Sequence, residues 1–338
     1  MASIAELEDR LSEPSPALIE MMRRLDGDIL ILGAGGKMGP SLAHLAARAV
    51  ADSGVSRKVV AVSSFSSPQT RVQLDAWGIE TIAADLLAPG ALDTLPDAEN
   101  VLYMCGRKFG STGAEWNTWA TNVYLAGLAG RRFAKSRIVS FSTGNIYPFE
   151  PLDSRGSTEA TPPGPVGEYA MSCLGRERMF DYASHELGAK VVHYRLNYAA
   201  ELRYGVMLDV AARVWEGQPV DIGNAAVNLV WQGYANRVAL QCLELADSPP
   251  RILNVTGPEK VSVRWLAREL GARLGRTPNF VGEESQTALI SDASECHRLF
   301  GLPEVNLETL MDWVAHWVKA GGHTLGKPTH FETRDGKF

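Results

Sequence analysis

The 338 residues predict an α/β chain: a doubly wound parallel sheet followed by a smaller C-terminal region that contacts substrate. Three observations predict this. Residues 28–49 read as strand, glycine cluster and helix, in that order. Short apolar runs then alternate with helix-compatible stretches, which implies a parallel sheet covered on both faces by its crossovers. Gly33, Asp85, Cys105, Thr143 and Asn197 each fall just past the C-terminal end of a predicted strand, the rim where such sheets bind ligands.

The first strand, 28–32, is apolar at four of five positions, and an Ala- and Leu-rich helical run follows Gly33, Gly35, Gly36 and Gly39. The pattern G-x-G-x-x-G would need glycine where Met38 stands. The spacing that fits is G-x-x-G-x-x-G on Gly33, Gly36 and Gly39, with Gly35, Lys37 and Met38 in the same loop. Small residues let backbone approach a pyrophosphate, and a helix N-terminus offers free N–H groups and partial positive charge. Further strands are expected at 58–62, 79–83, 100–104, 137–141 and 190–195, with long helices at 115–134 and 168–187. Beyond about residue 199 the pattern loosens around helices at 263–274 and 307–319. The expected division is 1–26 as a helical extension, 27–198 as the dinucleotide-binding domain, and 199–338 as a capping region with elements returning to the sheet. Pro14 and Pro16 break the extension into two short helices, read as a surface appendage.

A net charge of −6, with 45% hydrophobic and 21% charged residues, describes an ordinary globular chain. It offers no basic surplus for nucleic acid, and its apolar runs fall short of a membrane span. The four cysteines are scattered without metal-like spacing, so a reducing, cytoplasmic setting is expected, with no metal. His323 and His330 stand in a tail without a credible ligand set. That tail is expected to dock over the substrate pocket or onto a partner subunit. Trp116, Trp119, Trp313 and Trp317 are helically spaced within their pairs, which suits a core or a subunit interface.

Several motifs together resemble the extended short-chain dehydrogenase/reductase superfamily, the branch of NAD-dependent epimerases and dehydratases. They are the glycine loop, Asp85-Leu86, FSTGNIY at 141–147, TEATPPGP, Tyr169 and Glu177 in YAMSCLGRE, Arg195 in YRLNYA, and NVTGPEKVSVRWLA from Asn254. The resemblance covers roughly residues 28–320 and implies a Rossmann-type fold. It also implies a catalytic set on Thr143 and Tyr169, in which the hydroxyl orients a substrate oxygen and the tyrosine exchanges a proton with it. The family's lysine, four residues after the tyrosine, is here Cys173. A tyrosine with a pKa near ~10 is only about 0.1% ionised at pH 7. A neighbouring ammonium favours the phenolate, whereas a neutral thiol does little. Arg107 and Lys108, in CGRKFG, are candidate substitute cations by location.

The resemblance places the dinucleotide on Gly33, Gly35, Gly36, Lys37, Met38, Gly39, Ser63, Ser64, Asp85, Leu86, Cys105 and Gly106, and substrate on Arg107, Asn145 and Asn197. Alternatives stay open. Ser142 competes with Thr143 for the active hydroxyl, Asp85 can cap a turn as well as meet adenine, Tyr169 can be a core aromatic, and Cys173 can be a small buried residue or a nucleophile. The second strand ends on Ser63, Ser64 and Phe65, without the acidic residue that marks NAD. Hydroxyls tolerate a 2′-phosphate, and Lys37 or Arg71 can add charge, so the cofactor expected is NAD(P), tilted to NADP. Asn197 stands two residues after Arg195 instead of three, and WQGYAN at 231–236 replaces the usual acidic pair, so substrate identity does not carry over. The expected function is hydride transfer on a sugar, sugar acid or nucleotide sugar by a homodimer. The alternatives are a catalytically degenerate nucleotide-binding regulator or scaffold, and a non-redox lyase or isomerase.

Overall fold

The computed structural model describes residues 1, 3–110 and 112–337. Seven strands form one parallel sheet: β1 (Ile29–Leu32), β2 (Val59–Ser63), β3 (Glu80–Ala83), β4 (Asn100–Tyr103), β5 (Arg137–Thr143), β6 (Lys190–Leu196) and β7 (Arg251–Val255). Their spatial order is β7-β6-β5-β4-β1-β2-β3. The connections therefore reverse direction between β1 and β4, which opens a crevice at the carboxyl ends of those strands. The expected fold is present. Elements of the C-terminal region were expected to return to the sheet without a strand being placed, and β7 is such an element: it joins the edge beside β6 after some fifty residues of intervening chain.

Alternation along each strand splits the core into two layers. Ile29, Ile31, Ala61, Leu102, Val139 and Val192 face one side. Leu30, Leu32, Val60, Val62, Val101, Tyr103 and Val191 face the other. The second layer is covered by α7 (Gly167–Leu187) and by a helix running from Glu115 to Arg132, whose middle turn, Ala120–Tyr124, is π-helical. The long helix expected at 115–134 is present, ending at Arg132, with this wider turn in its middle. The wider turn carries Asn122 inward, where its amide donates to the Arg107 carbonyl and to the Ser172 hydroxyl.

The first layer holds a correction. Helices α1 (Ile4–Leu11) and α2 (Pro16–Arg24) form on either side of the expected break, capped by Ser3 and Ser15. They are no surface appendage, because Leu7, Leu11, Leu18, Met21 and Met22 are fully buried in the main core. They pack on α3 (Gly39–Ser53) and α9 (Gln232–Gln241). Here the neutral WQGYAN segment finds its use. Gln232 and Asn236 both donate to Ser41 of α3 at 2.9 Å, beneath the N-terminal helices. A carboxylate in that enclosed position would carry a desolvation cost without a counter-charge.

The chain after β6 supplies α8 (Val206–Trp215), α10 (Val263–Leu274) and α12 (Leu307–Lys319), which pack on one another. Trp317 is buried in that packing, whereas Trp116 is 74% exposed. Because α1 is core, Leu11→Ala should cost about 2–5 kcal/mol. Urea unfolding checks this, and a loss below about 0.5 kcal/mol would place the helix outside the cooperative core.

Candidate active site

The glycines of the loop after β1 have different tasks. Gly33 has φ +85°, and a Cβ there would lie 2.8 Å from the Cys105 backbone nitrogen. A Cβ on Gly35 would meet the Ser63 hydroxyl at 2.5 Å, and one on Gly39 would overlap the Ala34 carbonyl. These three let β1, β2, β4 and α3 approach one another. Gly36 differs, since a Cβ there would find only the Gly33 carbonyl, at 3.4 Å, and would otherwise enter the crevice. The first helical hydrogen bond of α3 runs from Leu42 N–H to the Met38 carbonyl, so the preceding N–H groups are not claimed by the helix. Glycine backbone, free N–H groups and an open floor fit a dinucleotide pyrophosphate.

Across the crevice, α7 presents Tyr169 and, one turn on, Cys173. Tyr169 and Thr143, at the end of β5, border the same crevice, and Thr143 and Cys173 are near enough to the Tyr169 hydroxyl to act on its ionisation. Ser142 is occupied elsewhere, donating to Glu177 at 2.5 Å. Both hydroxyls left open by the sequence border the crevice; Ser142 is tied to Glu177, whereas Thr143 accepts from Asn145. Burial drives the Tyr169 phenol well above its usual pKa, with Cys173 acting the same way; Thr143 and Arg176 oppose it. Burial likewise raises the Cys173 thiol, against the Arg176 charge. At neutral pH the pair is a phenol beside a thiol, so Cys173 is neither an ammonium nor a thiolate nucleophile.

The crevice encloses about 330 Å³, bounded by the glycine loop, Thr143, Asn145, Tyr169, Asn197, Tyr204, Thr329 and two lysines, Lys37 and Lys108. No carboxylate lines it among the described residues. Burial lowers both lysines to about 8. Lys37 donates to the Ala199 carbonyl at 3.0 Å and stands 4.5 Å from the Tyr204 ring centroid. Lys108 donates to the Thr329 carbonyl at 3.1 Å. Tyr198, also in the lining, holds φ +47°, a conformation costing a non-glycine residue about 1–3 kcal/mol.

A family model described as the NAD dependent epimerase/dehydratase family matches residues 29–230. The chain belongs to that family. No curated protein sequence matches it. Among solved structures, the UDP-glucuronic acid 4-epimerase of Bacillus cereus, in complex with UDP-glucuronic acid and NAD, is similar at 17% identity and a TM-score of 0.73, over 87% of this chain and 99% of that one. The UDP-glucose 4-epimerase of Thermotoga maritima, with UDP-glucose, has 18% identity and a TM-score of 0.73 over the same shares. DesIV, the dTDP-glucose 4,6-dehydratase of Streptomyces venezuelae with NAD bound, has 17% identity and a TM-score of 0.72 over 87% of this chain and 97% of that one. These likenesses show the fold.

Within this epimerase/dehydratase-family chain, the structure brings together Gly33, Gly36, Lys37, Met38, Gly39, Gly106, Thr143, Asn145, Tyr169 and Asn197. Asn145 donates to Thr143 at 2.9 Å, and Asn197 donates to the Leu289 carbonyl at 3.3 Å. Ser63 and Ser64 stand at the end of β2, outside the main cavity. Four expected residues do not line the cavity. Asp85 is exposed and accepts from Leu87 N–H, closing its own turn. Leu86 is core, and the Cys105 thiol is buried and pushed up to about 12. Arg107 turns out of the cavity and donates to the Gly110 carbonyl; its neighbour Lys108 enters instead. Of the two cations expected to add charge for a 2′-phosphate, Lys37 lines the crevice and donates to the Ala199 carbonyl, and Arg71 donates to Thr81. Tyr204 and Thr329 were missed. The tail was expected to dock over the substrate pocket or onto a partner subunit, and the structure brings its Thr329 to the crevice, though no local signal singled out that residue.

The glycine roles separate by experiment. Gly36→Val should fold and lose dinucleotide binding in calorimetry, while Gly39→Val should melt early because its Cβ strikes backbone. Undiminished binding by Gly36→Val would remove the phosphate-loop assignment.

Proposed function

We propose that this chain is an NAD(P)-dependent enzyme that moves hydride to or from a hydroxyl-bearing carbon of a sugar, sugar acid or nucleotide sugar. The reaction is either a net oxidation or reduction, or a transient oxidation that permits epimerisation or elimination. The observation that carries this reading is the Thr143–Tyr169 hydroxyl pair at the mouth of a glycine-lined crevice. Family membership supports it, and so do the nucleotide sugars and NAD named in the solved structures of similar fold. Ser63 and Ser64, in place of a carboxylate, leave room for NADP as well as NAD.

When bound, a nicotinamide supplies the hydride acceptor or donor. Thr143 holds the substrate oxygen by a hydrogen bond, and Tyr169 exchanges a proton at the same oxygen. Because burial keeps the phenol protonated, Tyr169 is better poised to give that proton than to take it, which favours carbonyl reduction. Asn145 and Asn197 line the space for the remaining hydroxyls. Nicotinamide absorbance, followed against panels of sugars, sugar acids and nucleotide sugars, tests the reading. Tyr169→Phe should lower turnover by about 10²–10⁴-fold. Full turnover by that variant would exclude the tyrosine mechanism and favour a non-redox or binding role.

The assembly proposed is a homodimer. Trp116, Tyr124, Met171 and Tyr182 are 74%, 60%, 38% and 60% exposed on the outer faces of the two helices over the second core layer. A second copy placing the same two helices against them would form a four-helix contact. Light scattering at micromolar concentration should report the dimer, and Tyr182→Glu should dissociate it; a wild-type monomer would refute this assembly.

A further inference from the structure

We propose that the ammonium of Lys108 takes over the position and the work of the lysine that Cys173 displaces, steadying the nicotinamide end of the cofactor beside Tyr169. This rests on the hydride-transfer reading above. A charge at that place normally comes from α7 itself, four residues beyond the tyrosine. Here that position holds a fully buried thiol packed with Ile146, Tyr147, Tyr169 and Leu174. Lys108 approaches from the other wall, on the loop after β4, and lines the same crevice as Thr143 and Tyr169. Its Nζ stands 5.8 Å from the Tyr169 ring centroid and 5.3 Å from that of Phe109.

The surroundings explain how a buried ammonium is kept there. The Thr329 carbonyl accepts from it at 3.1 Å. Thr329 is fixed in turn by Asp209 on α8, which accepts from its backbone N–H at 2.8 Å and its hydroxyl at 2.5 Å. Among the described residues, the charged and titratable groups facing Lys108 are Cys173 and Tyr169 on α7, Glu332 in the tail and Asp209 on α8. Glu332 pairs with Arg213 at 3.4 Å, and Asp209 is engaged by Thr329, so each is committed to another partner. Arg176 does not fill the vacant role. Its guanidinium lies behind Gly106, donating to the Phe141 carbonyl at 2.6 Å and to Asn122 at 2.9 Å, and it does not line the crevice. Tail and loop together thus place one cation over the tyrosine from outside α7.

Burial holds Lys108 near about 8, so it is an ammonium at neutral pH. A ligand that needs the charged form raises that value on binding. Its affinity is therefore full below the free value and falls as pH rises through it. Calorimetry of NAD⁺ and NADP⁺ binding to the full chain, from about pH 7 to about pH 9, tests the inference without a known substrate. Wild type should lose affinity across that range. Lys108→Met should bind about tenfold more weakly at the lower pH and show a flat profile. Cys173→Lys added to Lys108→Met should restore most of the affinity, because the charge returns from the other wall. Equal affinity and an unchanged pH profile in Lys108→Met would overturn the inference while leaving the functional reading in place. A folded double variant binding no better than Lys108→Met would do the same. Wild type binding neither dinucleotide would overturn the functional reading and this inference with it. If the double variant does not fold, the Lys108→Met profile decides alone.

Discussion

One buried ion pair fixes the relation between α7 and the sheet. Arg195 of β6 donates to both oxygens of Glu177 on α7, at 3.0 and 2.7 Å, and both side chains are enclosed. Ser142 of β5 adds a third donor to the same carboxylate, and Arg195 donates to the Tyr147 hydroxyl at 2.7 Å. The Tyr147 hydroxyl in turn donates to Asn254 Oδ1 of β7, also at 2.7 Å. Burial works to raise the Glu177 carboxyl, but His193, Arg195 and Ser142 outweigh it and hold it below its usual pKa. Removing one partner would leave the other charge buried and uncompensated, at a cost of about 3–5 kcal/mol.

The active-site geometry follows from that lock. Ser142 is tied to Glu177, so its neighbour Thr143 projects from the opposite face of β5 toward the crevice. Glu177 lies two turns beyond Tyr169 on the same helix, so fixing one places the other. The meeting of Thr143 with Tyr169 is a consequence of an ion pair that never touches the crevice. A second clamp works from the far side: the N-terminal helices cover α3 and α9, and so hold the helix whose N-terminus floors the cofactor site. The tail closes the arrangement. Arg334 donates to Thr287, Phe331 is buried, and Gly336 packs against Gly167 at the start of α7.

Local patterns carried much of this into the sequence. The glycine spacing and the strand ends were legible because each depends on neighbours within one element or turn; the Thr143–Tyr169 pair, on two separate elements, came from the family resemblance alone. Direction was harder. Arg107 and Lys108 are adjacent and both cationic, and only the packing of the 106–110 loop shows that Lys108 enters the crevice. Lys37 sits in a phosphate loop, but its long side chain reaches the Tyr204 ring across the crevice. The two N-terminal helices were expected, but not their burial, because the partner of α1, α9, lies more than two hundred residues away. The tail was expected over the pocket and later elements were expected back at the sheet, but Thr329 and β7 themselves were not singled out, since contacts of high sequence separation leave no local period.

The central claim is that an orthodox glycine loop and hydroxyl pair here work with an ammonium delivered from outside α7. A crystal structure of the full chain grown with NAD⁺ tests it most directly. The account predicts the pyrophosphate over Gly36 and the α3 N-terminus, the nicotinamide ribose beside Tyr169, and the Lys108 ammonium within about 3 Å of a ribose hydroxyl. A cofactor seated elsewhere, or a Lys108 ammonium turned away from the ribose, would contradict it.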